Sequence, residues 1–393
     1  MVAPHSIVVK RALILLTMVA AGCQQGVTSP SPSPNPTAGA LRPCPLGAPP
    51  PAGPQILLSN LPAPDDLAFD NDGRLLFSDN KAGTVSALNA DSSVQLIASG
   101  LSTPEGIVVQ GSGQILVAEQ GRNRIVGIDP VSHVVSQWRA FGNRTGQEGI
   151  DGIGPILPGR DAQGRLLTNA NYVVVPDSPN GVVWEVSPDG KAVTQIASGM
   201  SRPVGAAIDA NQHIYVADEA GTVWLLDPAK HRFATLPTPD DVLVGRAGDI
   251  FVNTLGDNAI HELDAQGRQV KVFTGIRQPQ GVALDDADNV YYTEFNDGRI
   301  GRVVRSFTLD EPMVTRTSRG TFIVCPSIRR ASGFTQPLGL GTGSSLTTSI
   351  LQLAQPGTSS SGALEVQTAE PSITITVSDG GLLSQSQKVT LSP

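Results

Sequence analysis

The sequence predicts an all-β protein, and three features carry that expectation. First, a unit of three short apolar strands separated by Asn/Asp/Gly turns recurs about six times, most cleanly from Arg277 to Val303. In that copy Val282–Leu284, Val290–Thr293 and Arg299–Val303 read as strands, with Asp285–Asn289 as a turn. Second, fourth strands follow several copies, at Val94–Leu101, Val193–Met200 and Val270–Ile276. Third, the last copy lacks a fourth strand, while a matching stretch, Gln55–Leu61, stands alone before the first copy. A repeat of roughly 40 residues with four strands per unit marks a propeller blade. The chain thus reads as a six-bladed β-propeller over 54–306, closed by its N-terminal strand so that no sheet edge stays open, with a small C-terminal β module over 307–393.

Taken in order, residues 1–22 have the parts of a secretory signal: Lys10 and Arg11, the apolar run Ala12–Ala21, and small residues before a cut. The run is too short for a permanent membrane span. Ala20-Ala21-Gly22-Cys23 resembles the bacterial lipoprotein lipobox, which implies acylation of Cys23 and an extracytoplasmic protein lipid-anchored to the bacterial cell membrane; ordinary secretion is the alternative. Residues 23–53 are rich in Pro and Ser and poor in large apolar groups, so they read as an extended tether. The formal net charge is −8 with no basic run, which argues against nucleic acid as a partner and leaves the lipid anchor as the only membrane contact.

The second strands of the repeats end on polar residues at Asp79, Glu119, Asn169, Asp218, Asn253 and Glu294. Each follows a polar turn such as Asn71-Asp72-Gly73. Pro104-Glu105-Gly106-Ile107, Ile115–Glu119 and Arg124–Asp129 resemble NHL-type repeats. The stretch 55–305 as a whole is similar to the gluconolactonase, senescence-marker-protein and luciferin-regenerating superfamily, and the sixth repeat (TEFNDGRIGR) is also similar to streptogramin B lyases. Such a fold hosts many functions, so activity must be argued from the site.

In propellers of this kind the residue entering the innermost strand faces the channel mouth. Here those positions are Asp65, Glu105, approximately Asp151, Val204, Asp240 and Gln280. Four carboxylates from separate strands, Asp65, Glu105, Asp151 and Asp240, offer hard oxygens suited to Ca²⁺ or another divalent cation. Asn169, Asn171, Asp218, Asn253, Gln280 and Glu294 are candidates for the ligand-facing mouth. The lactonase resemblance implies a cation that polarises an ester carbonyl and activates water, with Asp151 and Asp240 as candidate catalytic residues. Its pattern is kept at Asp240, but Asp65 stands for a Glu, Ile150 falls at or beside one Asn, and Val204 replaces another. Taken singly, each acid also suits a strand-end cap or turn.

None of the five histidines lies at a ring position, and the chain has no G-x-S-x-G elbow and no phosphate loop. In 307–393 five strands are expected, and Ile373–Gly381 is similar to the last strands of bacterial Ig-like modules. Cys44 and Cys325 are the thiols left after lipidation; in an oxidising compartment they are candidates for a disulfide, two free thiols being the alternative. Two functions stay open. One is a monomeric, non-catalytic propeller that binds a small molecule or an envelope protein or polymer. The other is a Ca²⁺-dependent hydrolase of lactones or similar esters.

Overall fold

The computed structural model describes residues 43–45, 53–89, 92–142, 149–155, 172–227, 229–331, 334, 336, 338–342, 360–362, 364–379 and 383–391. Six four-stranded antiparallel sheets follow one another along the chain. The first comprises Pro64–Phe69, Leu75–Asp79, Thr84–Leu88 and Val94–Ser99, and the second Pro104–Val109, Ile115–Glu119, Arg124–Ile128 and Val135–Ala140. The fourth and fifth begin with Pro203–Ile208 and Pro239–Val244. The sixth is completed by the N-terminal strand: Gln55–Leu58 pairs with Arg299–Val303, Gln55 opposite Arg302. Innermost strands touch in cyclic order from 64–69 through 104–109, 154–155, 203–208, 239–244 and 282–284 back to 64–69. The all-β propeller closed by an N-terminal strand is therefore the observed architecture.

The reason these segments form such sheets is in their burial. Second strands are covered by blades on both faces, so they read as unbroken apolar runs rather than alternating ones: all five residues are buried in Leu75–Asp79, Ile115–Glu119 and Val290–Glu294. Leu76, Val85 and Ile97 of the first blade share a core with Ile107, Val117 and Val126 of the second. Outer strands have one free face, and Val94, Leu96 and Val270 on them are exposed. The hairpins between strands repeat one device. Asp70 Oδ1 accepts the N–H groups of Asp72 and Arg74 at 3.0 and 2.9 Å, and its Oδ2 takes Arg74 Nε at 2.7 Å. Asp209 does the same with Asn211 and His213, Asp264 with Gln266 and Arg268, and Asp285 with Ala287 and Asn289. The turn acids of the repeat are thus structural.

Two blades differ from the sequence reading. The second strand of the third blade is Val173–Asp177, not a strand ending at Asn169; Val173 pairs with Val186 and Asp177 with Val182. Three consecutive β-branched valines and a terminal acid match the other blades better than the polar stretch before them. Asn169 and Asn171 lie outside the described residues. In the fifth blade Thr254, not Asn253, occupies the strand-end position, because Thr254 pairs with Pro239 as Asp79 pairs with Pro64.

Among its described residues the C-terminal part has two three-stranded sheets. One is Phe307–Arg316, Phe322–Arg330 and Leu364–Val366; the other is Gly339–Thr342, Ser372–Ser378 and Ser384–Thr390. They enclose one core, including Phe307, Val324, Leu340, Ile375 and Val377, as sheets packed face to face do. Ala287 from the sixth blade sits in that core. Asn289 Nδ2 donates to Phe307 O at 2.8 Å, and Gln385 Nε2 donates to the carboxyl of Asp285 at 2.8 Å. Residues Arg42–Pro393 form one compact unit.

The segment expected to be tether over 23–53 ends in structure. Pro43–Pro45 is a short strand paired with Ser360–Gly362, Cys44 opposite Ser361. Cys44 keeps an N–H between two prolines that lack one, which confines the pairing to a short edge. Cys325 is disulfide-bonded. The side chain of Cys44 and all of Cys23 lie outside the described residues.

Candidate ligand site at the channel mouth

The site is made by a break in register. In the first blade Pro64 pairs with Asp79 and then Leu67 with Phe77; in the second and fifth blades the ladder skips identically after Pro104 and Pro239. The bulge frees the two residues after each proline from the ladder and turns them toward the channel. They are Asp65-Asp66, Glu105-Gly106 and Asp240-Asp241. With Asp151, Gly152, Val204, Gly205 and Gln280, most of them line a cavity of about 20 Å³, room for one water-sized guest. The structure therefore brings together Asp65, Asp151, Asp240 and Gln280. Glu105 stands at the rim, where Asn80 Nδ2 donates to Oε1 at 2.8 Å and Gln120 Nε2 to Oε2 at 2.5 Å.

The electrostatics follow from like charges in a dry place. Burial, then Asp151 and Asp66, push the Asp65 carboxyl well up. Burial, Asp151 and Asp65 do the same to Glu105, and burial, Asp151 and Glu219 to Asp240. Arg202 is the cation that answers them among the described residues: its guanidinium lies 3.6 Å from Asp151 and pairs with Glu219. The Asp65 side chain differs from the rest. It is 8% exposed and opens on the cavity, and its carboxylate has no hydrogen-bond partner among the described residues.

Sequence reasoning missed the second residue of each bulge. Most blades place glycine there because the neighbouring backbone is in contact: a Cβ on Gly152 would stand 2.1 Å from Val204 O, and one on Gly281 2.4 Å from Asp66 Cα. The first and fifth blades carry aspartate instead. Asp66 Oδ1 accepts the Leu67 N–H at 2.7 Å, and its Oδ2 accepts Ile107 N–H of the next blade at 2.8 Å. Burial nonetheless lifts its carboxyl from an ordinary 3.8 to about 7. Asp241 is bonded to the N–H groups of Val242 and Val282, and burial and Asp66 push it up. These two acids are seams between blades that also face the cavity. Their signal was the doublet P-D-D at 64–66 and 239–241 where three other repeats read P-x-G and the third reads I-D-G.

The other predicted mouth residues go elsewhere. Asp218 is buried and accepts the N–H groups of Ser201, Arg202 and Ala220 and Trp224 Nε1 at 2.9–3.2 Å. Glu294 accepts the Arg277 N–H at 2.8 Å. Both lash a blade to the chain that enters it and do not line the cavity, because the last residue of a second strand points back at that incoming turn. Asn253 is a bridge: its Oδ1 takes the Asp241 N–H, and its Nδ2 donates to Gln280 O at 2.8 Å and to Pro279 O at 2.6 Å.

The oxygens are of the right kind for a hard cation and the cavity is of the right size. Yet among the described residues no three His, Cys, Asp or Glu side chains gather in an arrangement that could hold a metal ion, and Val204 contributes no side-chain oxygen. The described donors do not make a metal shell.

Neither a protein-family profile nor a curated protein sequence matches the chain. Solved structures do. A gluconolactonase from Xanthomonas campestris is similar with a TM-score of 0.53 at 17% identity, covering 63% of this chain and 88% of that one. A calcium-binding protein, regucalcin, from Agrobacterium tumefaciens strain C58 is similar with a TM-score of 0.51 at 14% identity, covering 66% and 95%. At such identity the likeness concerns the fold alone, and it is that of a β-propeller.

Proposed function

We propose that the protein is an extracytoplasmic, lipid-anchored propeller that binds without catalysis, and that its channel mouth receives a positively charged group of a small ligand. The observation that carries this is Asp65. A buried carboxyl that meets no hydrogen-bond donor among the described residues costs several kcal/mol if it ionises there, so it demands a proton or a cation. A guest that brings its own charge, such as an alkylammonium, satisfies Asp65 beside Glu105, Asp151 and Asp240 without needing a coordination shell. The absence of a ring histidine and the valine at 204 support binding over hydrolysis. The likeness in fold to a gluconolactonase favours a second reading, a Ca²⁺-dependent hydrolase of lactones or esters using the same acids.

Calorimetry separates the two. Propylammonium chloride and calcium chloride are titrated into the mature chain and into the Asp65→Asn/Asp240→Asn variant, and the wild type is then assayed on a lactone panel. Saturable propylammonium binding lost in the variant, with no lactone turnover, is the expected result. Calcium binding accompanied by turnover would replace it with the hydrolase reading.

A further inference from the structure

The same face carries a second, much larger hollow. It measures about 670 Å³ and lies among the sixth, first and second blades, walled by Pro62, Asn80, Lys81, Leu101, Phe295 and Asn296. Its position beside the mouth is fixed by Asn80, whose Nδ2 donates to Glu105 at 2.8 Å. The floor is preformed. Buried Asp79 accepts the N–H groups of Ala63 at 3.2 Å and Ala82 at 2.8 Å, and Gly83 O accepts Leu101 N–H at 3.1 Å. Gly83 has φ +66°, and a Cβ there would stand 2.5 Å from Leu101 O, so the two turns close over glycine alone.

Charge singles this hollow out. Charged side chains in the matching loops of other blades are answered within the protein: Arg122 by Glu119, Glu219 by Arg202, and Asp297 by Arg299 at 3.4 Å. Lys81 is exposed and has no carboxylate partner among the described residues. Burial and Asp151 push the Glu105 carboxyl up, which lessens its repulsion of an anion arriving next door. The lining also includes Phe295, Leu101 and Pro62.

We propose that the hollow binds a small organic carboxylate with an apolar body. The Lys81 ammonium and the amides of Asn80 and Asn296 take the carboxylate, and Phe295, Leu101 and Pro62 cover the carbon skeleton. The volume is that of a small-molecule site. The site is separate from the acidic ring and stands whether or not the ring takes a cation.

The probes are benzoate and hexanoate, with benzamide and hexanol as uncharged counterparts, followed by calorimetry and saturation-transfer NMR on the full chain. Saturable benzoate binding is expected, about tenfold weaker in Lys81→Met, with benzamide binding no better than the variant binds benzoate. Lys81 is exposed, so its variant should keep the wild-type melting temperature. Binding should persist in Asp65→Asn/Asp240→Asn, which disables the ring alone. No benzoate binding to the wild type, equal binding by Lys81→Met, equal binding of benzamide, or loss in the ring variant would each overturn the assignment.

Discussion

The buried acids make stability depend on pH in a direction opposite to that of most salt-bridged carboxylates, and Asp66→Asn isolates one of them. The folded Asp66 carboxyl is lifted to about 7 from an ordinary 3.8. Between those values the folded state holds a proton that the unfolded chain has released. Stability is therefore fully present below the unfolded value and is lost as pH rises through the folded one. The whole shift corresponds to about 4 kcal/mol at 1.36 kcal/mol per unit, of which about 3 kcal/mol is lost between pH 5 and pH 8. Asn removes the titration but keeps only one of the two acceptors, since its Nδ2 cannot accept the N–H of Leu67 or Ile107. Urea unfolding at pH 5, 6.5 and 8 should show the wild type weakening with pH, with Asp66→Asn destabilised by about 1–3 kcal/mol at pH 5 through the lost acceptor and about 3 kcal/mol less sensitive across the range. Asp65, Glu105, Asp240 and Asp241 add slope of the same sign. Wild-type stability that is flat or rising from pH 5 to 8, or an equal slope in both proteins, would refute the account of the mouth as a proton-holding ring.

Two further substitutions test the frame around it. Gly152→Ala places a Cβ against Val204 O, a backbone atom that cannot turn aside, and should cost about 1–3 kcal/mol, whereas Gly142→Ala meets nothing within 4 Å and should change stability by less than about 0.5 kcal/mol; thermal unfolding of both checks the contrast. Asp218→Ala strands three backbone N–H groups and the Trp224 indole N–H, so it should destabilise by about 3 kcal/mol or more while leaving propylammonium affinity unchanged, as read by calorimetry on the folded fraction.

What the sequence discloses here is governed by how local each signal is. Blade strands are legible because a strand covered on both faces must be continuously apolar, as Ile115–Glu119 is. Closure is legible because Gln55–Leu58 has no partner of its own near it in sequence. Five of the six ring positions follow from the prolines that precede them, Asp151 after Ile150 being the exception. By contrast, Asp79, Asp218 and Glu294 look no different from mouth residues until the incoming turns are in place, and those turns belong to other segments of the chain. The strand Phe307–Arg316 escaped notice because Glu311-Pro312 interrupts it; the fold absorbs the interruption as a shift in register between Asp310 and Met313. Val173–Asp177 was displaced in the reading by an irregular spacing between repeats, which periodicity alone cannot assign to one side of a strand or the other.

The acids of the mouth do two things that pull against each other, and this bears on what the site is for. Asp66 and Asp241 occupy places where other blades have glycine, and each bonds a backbone N–H of the next blade. Glycine at those places already lets the backbones meet directly, as Gly106 N–H meets Asp151 O at 3.1 Å and Gly152 N–H meets Val204 O at 3.0 Å. The aspartates are thus not required for closure, and each brings a carboxyl that burial resists. Asp65, beside them, meets no hydrogen-bond donor among the described residues. A channel lined only for stability would have kept glycine and an amide. The cluster of buried carboxyls, protonated while the ring is empty, is better accounted for by a guest that brings its own positive charge and takes the place of those protons.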